Sequence, residues 1–310
     1  MEIARREIEL MNGDKTNVRV FADIVKSLSI LVFLFCGISG KVRAGVPANN
    51  LNYPVLIEAA TGLTGSGFFL EAGRSIYLVT ARHVIDPGKE SGEITVYAQT
   101  SNHGFPDRLK LILDPGVLHE NGHVLVHRGR DVVAIRIGKM KGEGDFAPLV
   151  YHEGVALSQK GTLTAVAEVN TVSFQDIGVT NRVYVMGYPV SVGVASAKQL
   201  DHRTPLVRTG IVAGKNLQDG VVILDCQVDG GNSGGPVIQM SEDSKGMRHY
   251  HVIGMVSEFV PSAEEWISQS RGQVAVNISN SGYSVVEPMD SIWQLIQFPE
   301  LSLSQDSGKR

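Results

Sequence analysis

Cysteine is almost missing from this sequence. There are two in 310 residues, Cys36 and Cys226, so no disulfide framework holds the fold and apolar side chains must build the core. Long apolar runs are missing as well. Residues 28–38 (Leu28 to Ile38) form an apolar stretch of eleven residues, short of the roughly 20 that cross a bilayer as a helix. Basic runs are absent: the formal net charge is −4 and no Lys/Arg cluster occurs, which argues against a nucleic-acid partner. No repeat with a period of about 20–50 residues is visible, which excludes a solenoid or propeller. What is present is a hydrophobic fraction of 43%, a charged fraction of 19% and 34 glycines scattered among short Val-rich runs. That is the composition of a globular chain, long enough for one large or two ordinary domains, with an all-β pattern of short strands and turns.

The apolar stretch 28–38 follows Arg19 and Lys26 and precedes Val42-Arg43-Ala44. A basic lead, a short apolar segment and a small residue at a cleavage point make a secretory signal. Cleavage is expected after Ala44, giving a secreted or periplasmic protein in which Cys226 is the one remaining thiol. The lead is long and partly acidic, so initiation at Met11 stays open. Lys41 and Arg43 lie on the side that would be exported, against the usual charge bias. The alternative is therefore an uncleaved anchor, with membrane contact through residues 28–38 alone. Cys226 lies in an apolar run and reads as a small buried hydrophobe.

Past residue 45 the chain reads as strand after strand. Thr64-Gly65-Ser66-Gly67-Phe68 is a Gly-punctuated turn into a strand, and residues 75–85 hold a β-branched strand that ends at Thr80-Ala81, followed by His83. Residues 93–99 and 109–113 are strands. Residues 117–126 contain His119-Glu120-Asn121-Gly122-His123, which matches the H-E-x-x-H zinc pattern. That chemistry needs a helix, so that both histidines share a face. Asn121-Gly122 is instead a strong hairpin signal, and the expected structure is a β-hairpin with no metal. Asp131 heads the apolar strand Val132–Ile137. Residues 138–160 are Gly-rich and charged and read as the connection between two halves. In the second half, strands are expected at 161–172, 183–189, 206–213, 221–228, 237–239, 250–256, 273–278 and 282–286. A short helix opened by Pro288 should dock on the second half, and residues 299–310 form a polar tail. Two such halves imply two antiparallel barrels or sandwiches.

The densest motif is Gly230-Gly231-Asn232-Ser233-Gly234-Gly235-Pro236. Glycines allow backbone conformations closed to other residues and bring the main chain close to a ligand. A serine hydroxyl becomes a useful nucleophile only with a base to take its proton and N–H groups to receive an oxyanion. His83, just past a strand end, is the candidate base. Asp131, at a strand head, is the candidate carboxylate to orient it, although an aspartate is also common at such turns for local reasons.

The order of Thr80-Ala81-Arg82-His83, Asp131-Val132-Val133-Ala134-Ile135 and Gly231-Asn232-Ser233-Gly234-Gly235-Pro236 resembles the chymotrypsin/trypsin-like serine proteases. Among these it is most similar to the disulfide-free bacterial type, near the high-temperature-requirement and glutamyl endopeptidase branches, with no segment left for a PDZ domain after about residue 298. The resemblance covers about residues 55–296. It implies an all-β fold of two antiparallel six-stranded β-barrels with a short C-terminal helix: a signal segment at 1–44, one barrel at 45–150 carrying His83 and Asp131, and a second at 151–298 carrying Ser233. It implies a serine endopeptidase acting on protein or peptide substrates without a cofactor or metal. Ser233 would be the nucleophile, His83 the base and Asp131 its orienting partner, with the N–H groups of Gly231 and Ser233 forming the oxyanion hole. Gln227 takes the place that sets specificity in trypsin, and Ser257, Glu258 and Phe259 fall on the strand that pairs with substrate. Asn232 replaces the aspartate that binds a freed N-terminus in trypsin-type zymogens, so no such switch is expected. Two other functions fit the same scaffold: a binding protein whose triad is idle, and an esterase using the same serine.

Overall fold

The computed structural model describes residues 45–85, 92–102, 105–142, 148–189, 201, 203–267 and 274–302. The secretory-signal reading, at 1–44, lies outside them. Among the described residues no helix is long and apolar enough to cross a membrane.

The first half is a curled sheet of ten strands: β1 (Pro54–Glu58), β2 (Thr64–Ala72), β3 (Ser75–Thr80), β4 (Ile94–Asn102), β5 (Phe105–Leu113), β6 (Val124–Val126), β7 (Val133–Met140), β8 (Leu149–Tyr151), β9 (Val155–Gln159) and β10 (Ala165–Val166). Its main path runs β6-β7-β3-β2-β1-β4-β5-β9. All pairings are antiparallel except the short parallel contact of β10 with β2. The second half is a closed barrel of six strands: β11 (Arg182–Gly187), β12 (Leu206–Asn216), β13 (Val221–Asp225), β14 (Pro236–Glu242), β15 (Arg248–Ile267) and β16 (Val274–Pro288), in the order β11-β12-β13-β16-β15-β14. The all-β, two-part antiparallel architecture is therefore the expected one.

Each half has its own apolar centre. Phe68, Leu70, Leu78, Ile94, Leu111 and Ile135 are fully buried in the first. Val183, Val185, Val212, Leu224, Val237 and Cys226 are buried in the second. Each such large side chain contributes about 1.5–3 kcal/mol by leaving water. Burial pushes the Cys226 thiol pKa up, with Asp225 adding to the shift and Arg208 opposing it.

Five local expectations are corrected. Residues 117–118 are not strand: Pro115–Glu120 is a short helix, α1. Asp114 caps it by accepting from the Val117 N–H at 3.1 Å, and Pro115 stands in its first turn. That N-terminal signal outweighs the Asn121-Gly122 hairpin signal, and the turn there joins helix to strand. Second, the supposed connection 138–160 contributes β8 and β9. The first sheet therefore extends past residue 150, since main-chain pairing with β7 and β5 satisfies this segment's polar backbone. Third, 161–172 is not a long strand. It holds only β10 and a 3₁₀ turn at Glu168–Asn170, where the Thr171 N–H closes on the Glu168 carbonyl. Fourth, the two strands expected at 273–286 are one, β16, and its partner β15 continues well beyond 256. Fifth, helix α2 (Met289–Gln297) does not dock on the second half alone. It touches β15 and β16 but also β6 and β7, and its buried Met289, Ile292 and Leu295 join the first half's core. The tail beyond it begins as structure: Pro299–Leu301 is a 3₁₀ turn, and the Ser302 hydroxyl accepts from the Val126 N–H at 2.9 Å.

Candidate active site

β3 and β7 lie side by side, with Thr80 at the end of one opposite Val133 at the start of the other. A residue just past β3 and one just before β7 must therefore meet. They are His83 and Asp131. The turn after β3 is anchored by buried Ala81, Val84 and Ile85, and β7 begins on buried Val132 and Val133. The Arg82 N–H donates to the Asp131 carbonyl at 3.3 Å. Around the Asp131 carboxylate three groups converge. His83 Nδ1 lies 2.8 Å from Oδ2, the His83 backbone N–H donates to Oδ1 at 3.1 Å, and the Ser257 hydroxyl donates to Oδ2 at 3.0 Å. The hydrogen bond to Asp131 raises the His83 pKa above its ordinary 6.5. Burial works against this, and the charges of Asp131 and Glu258 add to the rise.

Ser233 comes from the second half, in the turn between β13 and β14. The turn is tied internally: the Asp229 N–H donates to Asn232 Oδ1 and the Asn232 N–H to the Asp229 carbonyl, each at 3.0 Å. Asn232 is 1% exposed. It is also tied to β15, where the Gly234 N–H donates to the Val256 carbonyl at 2.7 Å and the Val256 N–H to the Gly235 carbonyl at 2.9 Å. Gly231 and Gly234 hold φ of 92° and 84°, a region that suits glycine. Among the described residues, neither the Gly231 nor the Ser233 N–H donates a hydrogen bond. The Ser233 hydroxyl donates to the Ser257 carbonyl at 3.3 Å and makes no hydrogen bond with His83. In a ligand-free site such a contact often tightens only when substrate arrives.

Ser66, on β2, joins the halves. Its hydroxyl donates to the Gly231 carbonyl at 2.6 Å and accepts from the Tyr188 N–H at 2.8 Å. Its backbone N–H donates to the Ser233 carbonyl at 2.9 Å, and its own carbonyl accepts from the Thr80 hydroxyl at 2.7 Å. Sequence reasoning missed this role. The only hint was the Gly-Ser-Gly context, since the partners lie more than a hundred residues away. It also missed the bond from Ser257 to Asp131, having placed Ser257 only on the substrate strand. A further link is ionic: Arg130, next to Asp131, donates to Glu287 Oε2 at 3.1 Å and to the Gly220 carbonyl at 3.2 Å. Glu287 is 6% exposed, and burial holds its carboxyl above the ordinary 4.5 despite Arg130.

The remaining candidates lie nearby or elsewhere. Gln227 and Glu258 are exposed, Phe259 is 41% exposed and Ser257 is buried. Arg208 and Asp229 form an ion pair beside the serine turn. In the H-E-x-x-H segment, His119 and Glu120 lie in α1, but His123 lies beyond Gly122, stacked 4.0 Å from His152. The two histidines of the motif thus share no helix face. Among the described residues no group of three or more His, Cys, Asp or Glu is placed to hold a metal ion.

The trypsin-like peptidase domain family matches residues 65–246 of the chain. Comparison with curated protein sequences gives no match. Similar solved structures include Deg5, 15% identical over 81% of this chain and 90% of that one, with a TM-score of 0.45. Another is the HtrA-type protease AlgW with a tripeptide, 16% identical over 80% of this chain and 60% of that one, TM-score 0.42. A third is the thermostable serine protease AL20 from an extremophilic microorganism, 12% identical over 82% of this chain and 98% of that one, TM-score 0.44.

Proposed function

The chain belongs to the trypsin-like peptidase family, and from that premise we propose that it is a serine endopeptidase working through Ser233, His83 and Asp131. The observation that carries this reading is the convergence on Asp131 of the His83 imidazole, the His83 N–H and the Ser257 hydroxyl. A carboxylate held by three donors fixes the imidazole with Nδ1 toward Asp131, leaving Nε2 free for the serine. Ser233 Oγ attacks the scissile carbonyl of a protein or peptide substrate and His83 takes its proton. The tetrahedral oxyanion is received by the N–H groups of Gly231 and Ser233, which have no other hydrogen-bond acceptor among the described residues. His83 then protonates the leaving amine, and water repeats the sequence on the acyl-enzyme. Asn232 satisfies the Asp229 N–H within its own turn, which supports a turn that forms without a freed N-terminus. The exported location read from residues 28–44 belongs to the same proposal.

The test is labelling of the purified chain by a fluorophosphonate probe, followed by casein hydrolysis, each compared with Ser233→Ala. Ser233-dependent labelling with cleavage is expected. No labelling would remove both the peptidase and the esterase readings, and labelling with ester but no peptide hydrolysis would leave the esterase. The active base is neutral imidazole. Because the His83 pKa is raised, kcat/KM should climb with pH through a midpoint above 6.5. A profile flat from about pH 5 to 8 would exclude His83 as the base.

A further inference from the structure

β15 changes its surroundings at the active site. At Gly254 and Met255 it pairs with β14 on one side and β16 on the other, and the Val256 N–H and carbonyl are taken by Gly235 and Gly234 of the serine turn. From Glu258 onward its strand partner among the described residues is β16 alone, and that pairing continues to Ile267 opposite Val274. Among the described residues, the edge that β14 and the serine turn occupied is therefore open, starting beside Ser233 and running outward along a two-stranded arm. Pro261, which has no N–H to offer, and the irregularity between Phe259 and Pro261 divide this edge into two runs. The inner run, Glu258–Phe259, adjoins the serine. The outer run, Ser262–Trp266, lies on the arm.

The outer run has a defined chemistry. Glu264 and Glu265 are exposed on opposite faces, and neither Lys nor Arg occurs in residues 257–267 or 274–282. Ile278 and Val276, opposite Ala263 and Glu265, are 68% and 57% exposed, and Trp266 is 64% exposed. A long edge with no strand partner among the described residues and with apolar neighbours is a template for an added strand, and two carboxylates with no Lys or Arg among the arm's described residues favour a basic one.

We propose that this arm is an extended substrate subsite. The portion of a polypeptide N-terminal to the scissile bond adds antiparallel to β15 and continues past Pro261 onto the outer run, where basic residues meet Glu264 and Glu265. At about 3.4 Å per residue, a substrate must supply roughly eight extended residues upstream of the cut to reach them. The inference rests on the peptidase reading, and it adds a requirement for an unfolded, basic upstream segment.

The test starts from cleavage sites mapped in reduced, carboxamidomethylated lysozyme by mass spectrometry, on which internally quenched peptides are built. One carries about four residues upstream of the cut, and others carry about ten with lysine or glutamate in the outermost three. The lysine-extended peptide should show kcat/KM about tenfold above the short one at low salt, and the gain should shrink in about 0.5 M NaCl. The glutamate-extended peptide should show no gain. In the Glu264→Lys, Glu265→Lys variant the long-to-short ratio should favour glutamate, and a ratio is unaffected by the fraction of active enzyme. If that variant fails to fold, the three peptides on the wild-type chain still decide. Cleavage with no dependence on length or upstream charge overturns the arm subsite and leaves the peptidase reading intact. If the chain does not label or cleave, the peptidase reading falls. Fluorescence anisotropy of the lysine-extended peptide on Ser233→Ala then tests the arm separately, and binding no tighter than that of the short peptide overturns it. A dimer that dissociates in the Trp266→Ser, Ile278→Ser variant, without length preference, assigns the arm to a second copy and also overturns the proposal.

Discussion

In the first half the candidate site is made by two side chains at the adjoining ends of β3 and β7; in the second it is made chiefly by main chain, around one serine. His83 and Asp131 stand just beyond the ends of strands anchored by buried Ala81, Val84, Val132 and Val133, and need only the register of Thr80 with Val133 to meet. The serine turn instead depends on glycines with positive φ and on hydrogen bonds to β15 and Ser66. The difference teaches where each half is vulnerable. The first should lose chemistry before it loses fold, and the second should lose both together.

The sharpest test of that contrast is Asp131→Asn. It keeps shape but removes the charge that sets the imidazole tautomer, so kcat should fall about 10⁴-fold while the denaturation midpoint barely moves. Peptide hydrolysis and urea melts measure the two sides. Arg130→Ala breaks the comparison by attacking the joint between the halves. It leaves Glu287 buried without its cation, and a loss of about 3–5 kcal/mol is expected. Because the Glu287 carboxyl is already raised by burial, the folded state favours its protonated form. Stability is then highest below the unfolded value near 4.5 and declines as pH rises through the folded value. Urea melts of the variant should therefore worsen from pH 5 to 8, and Glu287→Gln should show a smaller loss without that trend. Gly234→Ala tests the main-chain half. A Cβ there strikes the Ser66 carbonyl oxygen and the Thr80 hydroxyl at a φ of 84°, so about 1–3 kcal/mol should be lost, with fluorophosphonate labelling slowed in parallel. The smallest effect is expected from Ser257→Ala, which removes one donor to Asp131 and costs about 0.5–1.5 kcal/mol. With one donor fewer to share it, Asp131 should bind the His83 imidazolium more strongly and move the acid limb of the pH–rate profile to higher pH.

His83, Asp131 and the serine turn were legible in the sequence because each couples a distinctive residue to a strand end, and strand ends are marked by local pattern. Ser66 was not, because its value comes from Gly231 and Tyr188, which reach it only in the folded chain. The α1 segment was misread because two local signals compete there. Asp114-Pro115 starts a helix before Asn121-Gly122 can close a hairpin. Half of the arm was hidden for another reason. Val274, Val276 and Ile278 alternate and mark the strand expected at 273–278, but its partner 258–267 lies outside the barrel with no buried face, and Glu258, Pro261, Glu264 and Glu265 give no β pattern. The extent of the first sheet was obscured likewise, because β9 is mostly exposed and has no buried face to mark it.

Cys226 offers a timepiece. Its thiol is 4% exposed in the second barrel, and burial keeps it protonated at neutral pH, whereas only a thiolate that solvent can reach is alkylated. Iodoacetamide should therefore modify the Cys226 peptide only as fast as this half of the molecule opens, and the rate would report the lifetime of the closed barrel around the serine without any engineered probe. A peptide long enough to span the site should lengthen that interval.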